Sequence, residues 1–84
     1  MDSTLFHIGS HKWRADVMRT KTALMFVDIG TAGTHYCVRA LVNGTVPFDR
    51  EYHMAWFTDY NEAYYRFDDL NTGRISPKQS VETV

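Results

Sequence analysis

A chain of 84 residues with a formal net charge of −1 has room for one small domain, and it lacks the strong basic footprint of a dedicated nucleic-acid binder. Apolar residues make up 44%, with five Phe, five Tyr and two Trp, which speaks against disorder over most of the length. The one cysteine, Cys37, has no internal disulfide partner and implies a reducing, cytoplasmic setting. The N-terminal stretch has neither the basic start of a signal peptide nor an apolar run long enough for a membrane span.

In chain order, Thr4 to Ile8 is short and apolar and suits an edge strand. From Lys12 to Thr20, Trp13, Ala15 and Val17 alternate with Arg14 and Asp16, so a strand is predicted with the first three facing the core. Ala23 to Ile29 is almost continuously apolar and predicts a central strand covered on both faces. The G-T-A-G-T turn follows. His35 to Val42 then places Tyr36, Val38, Ala40 and Val42 on one face, with His35, Cys37, Arg39 and Leu41 on the other.

Asn43-Gly44 marks a hairpin. Matching apolar faces favours a three-residue loop with a bulge at Gly44, which sets Ala40 opposite Val46 and Val38 opposite Phe48. Pro47 lacks an N–H, so the returning strand should lie at an edge or carry a bulge, and it runs on to Trp56. Asp59 and Glu62 then fit the Asp variant of a capping box, with Thr58 the other candidate cap. Tyr60, Ala63, Phe67 and Leu70, with Tyr64 beside them, recur at helical spacing, and Asn71 and Gly73 end the helix. A helix starting earlier, near Arg50, is the alternative. Tyr64 is expected to lean toward the sheet, and Glu62, Tyr65, Arg66, Asp68 and Asp69 to face water. The predicted fold is α+β: an antiparallel sheet of four or five strands with one C-terminal helix packed on a face. Residues 1–75 form the single domain and 76–84 a flexible tail.

No motif names a reaction, so a non-enzyme without cofactor is expected. His35 and Cys37 share a strand face that His53 could join, and His7 and His11 are four apart, but a structural zinc wants four ligands from close pairs. Cys37 with a histidine and Asp49 would need a base within reach and a depressed thiol pKa to act as a nucleophile. G-T-A-G-T lacks the G-K-[ST] ending of a phosphate loop. The terminal Glu82-Thr83-Val84 matches the acid-x-hydrophobic pattern captured by PDZ domains over too few residues to weigh.

Charge is uneven. Residues 1–21 carry Lys12, Arg14, Arg19 and Lys21 against Asp2 and Asp16, a net of +2. Residues 49–69 carry Asp49, Glu51, Asp59, Glu62, Asp68 and Asp69 against Arg50 and Arg66, a net of −4. The helix face Asp59, Glu62, Tyr65, Arg66, Asp68 and Asp69 is therefore the candidate protein-binding surface. The alternative is a small nucleic-acid-binding regulator using Lys12, Arg14, Arg19 and Lys21, with Trp13 stacking on a base. A homodimer paired through an edge strand or the Y-H-M-A-W-F segment is a third reading.

The run L-V-N-G-T-V-P-F-D-R-E followed by F-T-D-Y-N-E-A, within residues 23 to 70, resembles in layout the small phage-encoded anti-CRISPR inhibitors: hairpin, strand, then acid-capped helix. The resemblance implies a non-catalytic inhibitor in the bacterial host cytoplasm. It would occupy a basic nucleic-acid groove or a subunit interface on a larger defence complex, with no membrane partner. No residue roles carry over, because these inhibitors share no common motif.

Overall fold

The computed structural model describes residues 13–78. Four strands, β1 (Trp13–Arg19), β2 (Ala23–Gly30), β3 (Gly33–Ala40) and β4 (Met54–Phe57), form one antiparallel sheet in the order β1-β2-β3-β4. Helix α1 (Tyr60–Thr72) packs on one face. The expected α+β architecture is thus observed, with four strands among the described residues; the edge strand expected at Thr4–Ile8 lies outside them.

The core follows from two periodicities. Ala23 and Met25 on β2 and Val38 and Ala40 on β3 point to the same side, and Ala63, Phe67 and Leu70 meet them from α1. Met18, Tyr36, Phe57 and Ile75 close the rim. The opposite face buries a second cluster of Leu24, Phe26, Cys37 and Leu41. Strand β2 is covered on both sides, as its continuous apolar run predicts.

Local chemistry sets the helix ends. Asp59 stays extended and accepts a hydrogen bond from the Glu62 N–H at 3.0 Å, filling one of the open donors of the first turn. Gly73, at φ 79°, takes the left-handed cap and donates its N–H to the Asp69 carbonyl. The Thr20 and Thr22 hydroxyls both donate to Asn71 Oδ1, tying the helix end to the β1–β2 turn. Because Met54–Phe57 is strand, the helix does not begin near Arg50.

Two expectations are corrected. The alternation of β1 breaks at a bulge between Asp16 and Met18: Met18 pairs with Met25 and packs on the core, while Val17 is 40% exposed. Trp13, paired with Ile29 at the far end, is 42% exposed instead of buried. The hairpin also differs. Val42 and Thr45 exchange both backbone hydrogen bonds at 2.9 Å, enclosing a two-residue turn with Asn43 at φ 52° and Gly44 at φ 80°. Two positive φ values are what a type I′ turn needs, and Asn-Gly meets that need without a bulge. Pairing stops there. Pro47 offers no N–H, the chain leaves the sheet, and it returns as β4 with Ala55, not Phe48, opposite Val38. Of the expected tail, residues 76–78 are described. His53 N–H donates to the Pro77 carbonyl at 2.8 Å and Lys78 bridges to Tyr52.

Candidate protein-binding surface

Three tyrosines of α1 form the exposed aromatic feature of the helix. Tyr60 and Tyr64, four apart, stack with centroids 6.4 Å apart and an interplanar angle of 26°. Tyr60 meets Tyr36 of β3 edge-on at 5.5 Å, and Tyr64 meets Tyr65 at 6.1 Å. The rings thus run from the sheet outward to Tyr65, which is 67% exposed. Tyr64 was expected against the sheet; it is exposed and leans on Tyr60 instead, because Ala63 and Phe67 already fill the buried stripe.

The acidic residues around these rings fall into two groups. Asp59 and Glu62 are exposed, Asp59 with its side chain committed to the cap. Asp68 and Asp69 are held by Arg74, whose Nη2 and Nε lie 2.7 and 2.9 Å from their carboxylates, and these contacts push the arginine pKa up. Arg66, expected in water, instead turns inward. Its guanidinium lies 5.3 Å from the Phe57 ring centroid and its Nη1 is 2.7 Å from His53 Nε2. An arginine only donates, so His53 Nε2 must accept. Burial and the Arg66 charge together lower the His53 pKa and keep the ring neutral. The expected set therefore separates. Glu62 and Tyr65 stay available beside Asp59, whereas Arg66, Asp68 and Asp69 are engaged within the fold.

Two of the basic residues of the rival reading, Arg14 and Arg19, are engaged within the fold. Arg14 pairs with Asp28 at 3.0 Å and lies 4.6 Å over the Phe26 ring. Arg19 pairs with Asp16 at 3.5 Å and donates to the Gly44 carbonyl at 2.9 Å. Lys21 is exposed, and Lys12 lies outside the described residues. A nucleophilic Cys37 is disfavoured, since burial raises its thiol pKa to about 11, against the partial lowering by Arg39. Among the described residues no three of His, Cys, Asp and Glu come together as a metal would require. No helix among them is long and apolar enough to cross a membrane.

Sequence reasoning missed Tyr60 and Tyr64 as surface residues. The signal available was their i, i+4 spacing beside a stripe already complete without them. No protein-family model, curated protein or solved structure matches this chain.

Proposed function

We propose that this domain is a non-catalytic inhibitor that binds another protein through the tyrosine-rich flank of α1, with Glu62 and Asp59 beside it. The observation that carries the reading is the ring sequence Tyr36–Tyr60–Tyr64–Tyr65, which spends three large side chains of one short helix on its surface. Rigid aromatic rings lose little conformational freedom on contact and bury much area, which suits them to anchor an interface. The adjacent carboxylates favour a partner with basic surface. A nucleic-acid-handling complex of the CRISPR-Cas kind, in a bacterial cytoplasm and met by a phage-encoded protein, is the target class with that property.

The test compares the wild type with a Tyr65→Ala/Glu62→Lys variant in affinity capture from bacterial lysate, with and without nuclease treatment. The expected result is a stoichiometric protein retained by the wild type and lost by the variant, whose circular dichroism is unchanged. Retention by both, or recovery that depends on intact nucleic acid, overturns the assignment.

A further inference from the structure

The face of the sheet away from α1 holds a half-buried arginine, Arg39, that makes no ion pair among the described residues. Arg39 sits in mid-β3, and its cross-strand neighbours are Leu24 on one side and Met54 on the other, both apolar. Its Nε is buried and without a hydrogen-bond partner, and among the described residues no carboxylate meets its guanidinium. The Nε is itself out of reach, but an anion meeting the accessible edge of the guanidinium would supply the charge partner that the described residues do not.

Arg39 opens into a cavity of about 360 Å³ lined also by Phe48, Asp49, Arg50, Tyr52 and Met54. Two guanidiniums therefore face it against one carboxylate, and Asp49 Oδ1 is turned to its own loop, accepting from the Glu51 N–H at 3.3 Å. Phe48 is 100% exposed, an apolar ring in water at the cavity edge. Two residues along β4 from Met54, on the same face, Trp56 is exposed and walls a neighbouring hollow with His35. Two arginines with one exposed ring in the same cavity and a second on the same sheet face offer a phosphate its cations and bases their stacking surfaces.

We infer that this strip, Phe48–Arg39–Arg50–Trp56, binds single-stranded nucleic acid, the phosphodiester on the arginines and bases stacked on Phe48 and Trp56. The site is separate from the tyrosine flank of α1 and uses none of the basic residues that the sequence alone suggests.

The test is fluorescence anisotropy at low salt on the full chain. The probes are a labelled ten-nucleotide oligo-dT, the corresponding oligo-U, a DNA duplex and a poly-glutamate peptide. Binding of at least one single strand, tighter than duplex or peptide, is expected. Arg39→Gln and Phe48→Ala should each weaken it about tenfold, and Tyr65→Ala should leave it unchanged. Phe48 is fully exposed, so its variant tests the ring without disturbing the core. No binding of either single strand, preference for duplex or peptide, or wild-type affinity in either variant overturns the inference. Because Tyr65 is not involved, loss of the lysate partner and loss of oligonucleotide binding are read separately.

Discussion

Cys37 and His53 show how single positions take their chemistry from burial. Cys37 is fully buried within the second cluster and its thiol pKa is raised to about 11. At pH 8 it should resist iodoacetamide in the native protein and react at once in 6 M guanidinium, read by mass spectrometry. Rapid native alkylation would mean that this sheet face opens. Burial, and then the Arg66 guanidinium that faces its Nε2 from α1, favour the neutral ring of His53. Its folded pKa lies below the ordinary 6.5. Stability from the neutral ring is therefore complete above about pH 6.5 and is lost as pH falls through the lowered folded value. Urea midpoints should decline from pH 7.5 to 5.5, and more steeply in the wild type than in His53→Gln, which can still accept from Arg66. Parallel slopes would remove His53 from the account.

At the scale of elements, caps and turns decided where pattern alone was ambiguous. Replacing Asp59 with Ala removes the acceptor for the Glu62 N–H and should cost about 1 kcal/mol, measured by chemical denaturation. An unchanged midpoint would show that water replaces the cap. The helix was legible because Asp59, the Ala63–Phe67–Leu70 stripe and Gly73 agree on its bounds. Strand β2 was legible because a run apolar on both faces has few other solutions. The later part of the hairpin was not. Apolar matching put Phe48 opposite Val38, but Asn43-Gly44 closes a tighter turn and Pro47 ends the ladder, so local backbone chemistry overrode the pattern. The bulge in β1 was equally hidden, since one extra residue reverses the facing of everything after it. At the candidate site, the sequence exposed Glu62 and Tyr65 correctly. It could not show that Arg74 folds back onto Asp68 and Asp69, or that Arg66 finds His53.

For the molecule as a whole, a thin core constrains what any surface experiment can mean. Among the described residues, seven buried ones join α1 to the sheet, and Phe67 is the largest contributed by the helix. Phe67→Ala should cost about 3–5 kcal/mol. A small domain has roughly 5–15 kcal/mol in all. Thermal unfolding should therefore show a large drop in melting temperature or no cooperative transition. That variant would abolish partner binding and oligonucleotide binding together, so it serves as the signature of unfolding against which surface variants are judged. Tyr65→Ala and Glu62→Lys lie outside this core and should leave the melting temperature within a few degrees of wild type while acting on the protein partner alone. Since Glu62 is exposed, its reversal should act chiefly through encounter: a slower association rate at low salt, converging with wild type as ionic strength rises. Surface plasmon resonance across a salt series separates the cases. A change confined to dissociation would place Glu62 in a desolvated contact within the interface, and no change at all would leave the tyrosine rings as the whole of the recognition surface.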